Sequence, residues 1–128
     1  MSNAEKFSKL EEIIRTLRDP DKGCPWDLKQ THESLKQYAG EEVYELLEAI
    51  DSKPENISDE LGDVLLQVML HAQIADDDKR FNIGDVIDSL SQKMIERHPH
   101  VFGDASVDGS EGVLKKWEEI KQESAKVF

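Results

Sequence analysis

Two stretches of this chain decide its fold class: LKQYAGEEVYELLEAID at residues 35–51 and ISDELGDVLLQVMLHAQI at residues 57–74. In both stretches apolar residues recur at intervals of three and four, which is the period of an α-helix that buries one face. No segment of the sequence alternates between apolar and polar residues as a half-buried strand does. The sequence therefore predicts an all-α protein, a bundle of four or five helices.

A helical wheel of the first stretch separates its glutamates. One face carries the aliphatic residues that we expect to pack into the core, namely Leu35, Ala39, Val43, Leu46, Leu47 and Ile50. Glu42 falls inside this stripe and Glu45 at its edge, whereas Glu41 and Glu48 point toward solvent. The free-energy cost of burying a carboxylate is therefore expected to fall mainly on Glu42.

The second stretch has apolar residues on both sides of a narrow polar lane, formed by Glu60, Asp63, Gln67 and His71. Such a lane is typical of a helix that is buried nearly all round, where an ionised carboxylate needs a partner. No Lys or Arg shares the acidic lanes, so four acids at i, i+3 spacing on adjacent helices repel one another unless a cation intervenes. All-oxygen ligands favour Mg²⁺ or Mn²⁺, and the pattern predicts a divalent-metal site. The competing interpretation is a set of solvated acids or structural ion pairs.

Length and charge limit the classes of protein to which the chain belongs. At 128 residues it is long enough for one core, so we predict a single domain over residues 1–128, of which residues 1–4 resemble a cloning remnant. The formal net charge of -12 argues against a nucleic-acid-binding surface, which needs clustered Lys and Arg. A polyphosphate ligand would need a divalent ion and local cations to reverse the field at its site.

Cysteine content and hydropathy indicate a compartment. Cys24 is the only cysteine, so no internal disulfide forms, and the N-terminus lacks the apolar segment of a secretory signal. The longest aliphatic runs are far shorter than the roughly 20 apolar residues that a membrane span requires. We therefore expect a soluble, cytoplasmic protein that binds neither nucleic acid nor membrane.

Caps and helix breakers predict where the helices begin and end. The predicted helices run from Glu5 to Leu17, from a cap at Thr31 or Asp27 to Asp51, from Pro54 to Asp76–Asp78, from Ile83 to His98, and onward from Gly112. A loop at Cys24–Asp27 separates the first two, and a loop at Gly103–Gly112 precedes the last.

The acidic clusters fit a known pattern. Glu41-Glu42-Val43-Tyr44-Glu45 followed by Glu60-Leu61-Gly62-Asp63 matches Glu-Glu-x-x-Glu, a spacer and Glu-x-x-Asp. With these motifs the chain resembles the MazG family of nucleoside triphosphate pyrophosphohydrolases, within the all-α pyrophosphatase superfamily that also includes the dimeric dUTPases. Further family-like segments are GCPWD at 23–27, QTH at 30–32, LLEAID at 46–51, RHPHVFGD at 97–104 and WEEIK at 117–121. The resemblance spans nearly the whole chain and is to the N-terminal type of MazG domain.

This resemblance implies an activity: Mg²⁺-dependent hydrolysis of a nucleoside triphosphate substrate between its α and β phosphates, with Mn²⁺ as a substitute. It also implies site residues. The family's metal ligands correspond to Glu42, Glu45, Glu60 and Asp63, and its phosphate-binding cations correspond to Lys93 and Arg97. For the cations the alternative is a surface pair that the helix dipole favours near a C-terminus. Glu45 or Glu41 would orient the attacking water, and we assign Glu45 as the catalytic carboxylate.

Trp26 and the histidines are further candidates for a function. Trp26 either contacts the nucleotide base or anchors its loop against the core. The four histidines are expected to be structural, because a hard oxygen site does not need them.

Two features depart from the family pattern. Ala39-Gly40 stands where family members usually carry bulky aliphatic residues, and a glycine inside a helix costs about 1 kcal/mol relative to alanine. Family members often contain two tandem copies of the domain, whereas this sequence contains one. The competing hypothesis is therefore a non-catalytic dimerisation domain. Under either hypothesis the two apolar faces of the third helix predict a homo-oligomer, a dimer or a larger assembly.

Overall fold

The computed structural model describes residues 1–104, 106 and 108–127, with side chains described through residue 123. Every regular element within this part of the chain is helical, which confirms the all-α prediction. The described α-helices are α1 (Asn3–Leu17), α2 (Pro25–Lys29), α3 (His32–Ser52), α4 (Ile57–Asp77), α5 (Ile83–Arg97), α6 (Pro99–Phe102) and α7 (Gly109–Val127), and a 3₁₀ turn at Pro54–Asn56 precedes α4.

The five long helices correspond to the five predicted ones. Thr31 caps α3, since its side chain accepts a hydrogen bond from the Ser34 amide, and Ser2 caps α1 in the same way through Glu5. The short helices α2 and α6 were not predicted. Each has a proline at its start, where the fixed φ of proline favours a helical turn. No helix in the described residues is long and apolar enough to cross a bilayer.

The Cα positions group into two compact units, Met1–Ile83 and Gly84–Phe128. The first contains α1 to α4, and the second contains nearly all of α5 together with α6 and α7. The assignment of residues 1–128 to one domain stays a prediction.

Helices α3 and α4 form the hairpin that dominates the first unit. They pack along each other, and the short connection between them makes them antiparallel. The connection is held by backbone hydrogen bonds from Lys53 N to Ala49 O and from Asn56 N to Lys53 O, both 2.9 Å long. Leu35 and Leu70, one from each helix, are the largest fully buried side chains of the described residues.

The predicted core stripe of α3 is wrong for half of its members. Leu35 is fully buried and Leu46 is half-buried, but Val43, Leu47 and Ile50 are 46%, 54% and 54% exposed. The reason is geometric: the helix is apolar over a wider arc than one neighbouring helix covers. The side of α3 that packs within the chain therefore includes Glu42, and a second apolar side faces outward.

Helix α4 is buried nearly all round only in its C-terminal half. Met69, Leu70 and the run Ala72–Ala75 are buried, whereas Leu61 and Leu65 are 51% and 40% exposed. The prediction of all-round burial is thus wrong for the N-terminal half. The additional burial of the C-terminal half comes from helix α1, which packs against α4 and contributes the buried side chain of Ile14.

An ion pair joins the end of α1 to the end of α4. Arg18 Nε donates to Asp77 Oδ2 at 2.9 Å, and the arginine side chain is 9% exposed. Its Nη1 donates to the carbonyl oxygens of Asp27 and Gln30 around α2, and Gln73 Nε2 donates to Asp77 Oδ1 at 2.9 Å. One buried guanidinium thus connects three helices.

Trp117 contacts two residues at the C-terminal end of α5 in the second unit. His98 lies edge-on to the indole with ring centroids 5.0 Å apart, and the Arg97 guanidinium lies 5.5 Å from the same ring centroid. His98 Nδ1 also lies 2.7 Å from the carbonyl oxygen of Met94, which fixes the imidazole at the end of α5.

Candidate metal centre and nucleotide site

The α3–α4 hairpin brings four carboxylates together. Glu42 and Glu45 project from α3, and Glu60 and Asp63 project from α4. One ligand atom from each side chain lies within 4.8 Å of the corresponding atoms of the other three. The i, i+3 spacing in both helices produces this convergence, because it places each pair on one side of its helix. We refer to these four side chains as the carboxylate cluster.

Two oxygens of the carboxylate cluster are buried without a hydrogen-bond partner. They are Glu42 Oε2 and Glu60 Oε2, the inner oxygens of the two half-buried members, while Glu45 and Asp63 are exposed. None of the ion pairs found in the described residues involves any of the four acids. Buried carboxylate oxygens are normally hydrogen bonded, so these two lack the partner that their burial requires.

The same crowding changes the acidity of two members. Burial raises the pKa of Glu42 above its ordinary value, and the negative charges of Glu45 and Asp63 raise it further. Burial likewise raises the pKa of Glu60, followed by the charges of Glu45 and Asp63. In each case all of the causes disfavour the ionised form.

A hard divalent cation fits this donor set. The ligand atoms are all carboxylate oxygens, and two oxygens on opposite sides of an Mg²⁺ ion lie about 4.2 Å apart. The cluster, with its atoms within 4.8 Å of one another, is close to that size. A cation would supply the partner that Glu42 Oε2 and Glu60 Oε2 lack.

Of the other residues singled out from the sequence, Glu41 lies on α3 and is exposed, outside the carboxylate cluster. Lys93 and Arg97 lie on α5 in the second unit, where Lys93 is exposed and Arg97 is half-buried against Trp117. Their spacing of one helical turn is present, and their function as a phosphate-binding pair stays a prediction.

Trp26 lies on the short helix α2 and is 48% exposed. Its indole meets the Tyr38 ring edge-on, with centroids 5.8 Å apart and planes at 75°. Tyr38 precedes Glu42 by one turn of α3, so the aromatic pair lies about 6 Å along the helix axis from the carboxylate cluster. Both of the earlier interpretations of Trp26, base contact and anchor, are compatible with this position.

Sequence reasoning missed one residue beside the carboxylate cluster. An open cleft of about 300 Å³ is lined by Glu45, Glu48, Ala49, Lys53, Asn56 and Glu60. Lys53 is the only cation among these residues. The available signal was a single lysine in the connection between two acidic helices, which from the sequence looks like part of a helix-breaking turn.

Comparison with known proteins agrees with this architecture. The family model for the MazG nucleotide pyrophosphohydrolase domain matches residues 30–102. The chain belongs to the MazG family. The match covers all of α3 and α4, and thus the whole carboxylate cluster.

Individual relatives extend the similarity of this MazG-family chain beyond that segment. It is 56% identical over 122 residues to the nucleoside triphosphate pyrophosphohydrolase/pyrophosphatase MazG of Thermotoga maritima, which covers 94% of this chain and 46% of that protein. It is 44% identical over 119 residues to the nucleoside triphosphate pyrophosphohydrolase of Escherichia coli K12, covering 92% and 45%. YabN of Bacillus subtilis, an uncharacterized protein, is 58% identical over 118 residues, covering 91% and 24%.

A solved structure shows the same fold. The crystal structure of a mazG-related protein from Thermotoga maritima aligns with a TM-score of 0.70 and 31% identity, covering 90% of this chain and 98% of that one. The curated relatives are longer, since this chain spans less than half the length of each of the three described above.

Proposed function

We propose that this MazG-family chain hydrolyses nucleoside triphosphates between the α and β phosphates in the presence of Mg²⁺, releasing a monophosphate and pyrophosphate. The observation that carries the proposal is the carboxylate cluster, with two buried oxygens that lack any partner. The names of the relatives from Thermotoga maritima and Escherichia coli, both nucleoside triphosphate pyrophosphohydrolases, support the choice of substrate class.

In this proposal Glu42, Glu45, Glu60 and Asp63 hold the divalent ion, for which Mn²⁺ can substitute. When bound, the ion supplies positive charge for phosphate oxygens and lowers the pKa of a bound water. Glu45 is an exposed member of the cluster, so its second oxygen is accessible to a water and can accept the water's proton. Glu41 is the less suitable base, because it does not belong to the cluster.

The substrate contacts proposed from the family resemblance are Lys93 and Arg97 for the phosphates and Trp26 for the base. An exposed indole beside Tyr38 offers an aromatic surface one helical turn from Glu42. A lysine and an arginine at i, i+4 present two cationic groups in one direction.

We also propose that the protein is a homo-oligomer, a dimer in its simplest form. The support is the outward apolar side of the α3–α4 hairpin, which carries Val43, Leu47, Ile50, Leu61, Leu65 and Val68, all of them exposed. Each of these residues comes directly after an inward-facing residue of its helix, which rotates it by about 100° around the helix axis. Because the two helices run antiparallel, the same rotation in both places these residues on one side of the hairpin. A continuous apolar surface of this kind is typical of a subunit interface.

The proposed compartment is the cytoplasm, whose reducing conditions suit the free thiol of Cys24.

The deciding experiment measures pyrophosphate release from ordinary and damaged nucleoside triphosphates with Mg²⁺. In ¹⁸O-labelled water the product that carries the label identifies the attacked phosphorus: the monophosphate for attack at the α phosphorus, or pyrophosphate for attack at the β phosphorus. Glu42→Gln and Asp63→Asn should abolish release while the circular dichroism spectrum stays helical. Full turnover in either variant would exclude the carboxylate cluster as the active site.

The second candidate is a non-catalytic assembly domain, which the exposed apolar side of the hairpin favours. Under this candidate the wild-type protein is a stable oligomer that releases no pyrophosphate from any triphosphate. Measuring turnover and sedimentation on the same preparation separates the two functions.

A further inference from the structure

Lys53 occupies an unusual electrostatic position in the first unit. It lies in the connection between α3 and α4, and it lines the cleft that Glu45 and Glu60 of the carboxylate cluster also line. The other charged residue of the cleft, Glu48, is acidic as well. Lys53 takes part in none of the ion pairs found in the described residues, although carboxylates surround the cleft.

The charge of the cleft makes this cation important for an anionic substrate. The carboxylate cluster and Glu48 together bring five acidic groups to the region, and one divalent ion neutralises only part of their charge. A triphosphate that enters the cleft meets residual negative potential, which a local cation reduces. Lys53 is the only residue lining the cleft that supplies such a charge.

The distance is suitable for a direct contact. Lys53 follows Glu45 by eight residues, which is about 12 Å along a helix axis. Its flexible four-carbon stem spans about half of that distance, which leaves room for a phosphate group between the ammonium group and Glu45 in the cleft that both residues line. A divalent ion held by the carboxylate cluster would complete its coordination with substrate phosphates, which would then lie at the cluster end of the same cleft.

We infer that Lys53 is a substrate-binding residue that contacts the phosphate chain of the triphosphate beside the carboxylate cluster. This inference rests on the proposed function for its substrate class. It assigns the cleft between Glu45, Lys53 and Glu60 to the phosphate chain, and it orients the chain along α3 from the cluster toward the α3–α4 connection.

A purely structural function for Lys53 is the alternative, because a cation at the C-terminus of α3 stabilises that helix through its dipole. Two substitutions separate the possibilities. Lys53→Met removes the charge and keeps an unbranched side chain, whereas Lys53→Arg keeps the charge. Lys36→Met is the matched control, since Lys36 is an exposed lysine of the same helix that pairs with Glu33 at 3.4 Å.

The experiment measures binding of Mg²⁺-tripolyphosphate by calorimetry, together with KM and kcat for a triphosphate. Lys53→Met should weaken tripolyphosphate binding and raise KM roughly tenfold with little change in kcat. Lys53→Arg should stay within about twofold of wild type, as should Lys36→Met. Binding of Mn²⁺ alone should not weaken in Lys53→Met, because the lysine contacts the phosphate chain and not the metal.

Unchanged tripolyphosphate affinity in Lys53→Met would overturn the inference, and so would a wild-type protein that binds no tripolyphosphate. A lowered melting temperature with unchanged affinity would assign Lys53 to helix stability alone. The two proposals fail separately. Turnover with normal kinetics in Lys53→Met refutes the inference and keeps the proposed function. Tripolyphosphate binding that depends on Lys53, in a protein that shows no turnover, keeps the inference and refutes the proposed function.

Discussion

His32 and His71 form a direct imidazole–imidazole hydrogen bond between α3 and α4. Their Nδ1 atoms are 2.7 Å apart, the ring centroids are 5.0 Å apart, and the ring planes differ by only 6°. An Arg80 Nη2 atom lies 2.7 Å from His32 Nε2. Because a guanidinium only donates, His32 Nε2 accepts, His32 Nδ1 carries the hydrogen, and His71 Nδ1 accepts it.

This arrangement predicts that the histidine pair destabilises the fold at low pH. Burial lowers the pKa of His71 below its ordinary value, and the neighbouring His32 lowers it further. A base with a depressed pKa binds fewer protons in the folded state, so its contribution is complete above the unfolded value of about 6.5 and is lost as the pH falls below it. Arg80, the cation beside His32, is itself paired with Asp78 at 3.3 Å.

The measurement is urea unfolding from pH 5 to 8 for wild type and for His71→Gln, which cannot take up a proton. The difference between their free energies of unfolding should shrink as the pH falls. Parallel pH profiles for the two proteins would show that the pair does not titrate with folding.

Glu42→Gln should stabilise the metal-free protein while removing its response to metal. The substitution takes one charge out of a cluster whose members repel one another, so the melting temperature without metal should rise by about 2–4 °C. Wild type should gain stability when Mg²⁺ is added, and the variant should not. Differential scanning calorimetry with EDTA and with Mg²⁺ tests both statements. Glu48→Gln is the control, because Glu48 lines the same cleft without belonging to the cluster. An equal Mg²⁺ response in wild type and Glu42→Gln would contradict the assignment of the ligand.

Arg18→Met, which replaces a buried side chain, should strongly destabilise the first unit. It leaves Asp77 without its cation and takes one donor from each of the Asp27 and Gln30 carbonyl oxygens, so we expect a loss of about 2–3 kcal/mol in the free energy of unfolding. Arg15→Met is the matched control, since its pair with Glu11 is exposed and 3.7 Å long and is worth less than about 0.5 kcal/mol. Similar unfolding midpoints for the two variants would refute the importance of the buried guanidinium.

Two glycines should respond in opposite ways to alanine. A Cβ at Gly40 would meet no atom within 4 Å, so Gly40→Ala should stabilise α3 by about 0.5–1 kcal/mol. A Cβ at Gly23 would collide with the carbonyl oxygens of Leu17 and Asp19, so Gly23→Ala should destabilise the turn after α1. Thermal unfolding of both variants checks the prediction, and a shift of the same sign in both would contradict it.

Leu47→Glu should dissociate the proposed oligomer. It places a charge in the middle of the outward apolar side of the hairpin, where burial by a second copy would leave the carboxylate unpaired. Sedimentation velocity should show a smaller species than wild type. Gln37→Glu, an equal change of charge at an exposed position of the same helix, should leave the distribution unaltered. If both variants sediment like wild type, the interface lies elsewhere.

The carboxylate cluster could be predicted because it depends on local periodicity. Spacing of i, i+3 places Glu42 beside Glu45 and Glu60 beside Asp63 in any α-helix, and a short connection returns the second helix along the first. The convergence of the four acids therefore depends little on residues that are distant in the sequence.

Contacts between distant parts of the chain were not predictable in the same way. The sequence determined the five long helices, the cap at Thr31 and the pairing of acids within each helix, because these depend on residues within one turn of each other. Only the tertiary structure decided that Val43, Leu47 and Ile50 face outward, that Lys53 lines the cleft next to Glu45, and that His32 meets His71. The physical reason is that a helix with apolar residues over a wide arc can bury several of its sides equally well, and the choice is made by how neighbouring helices pack against it.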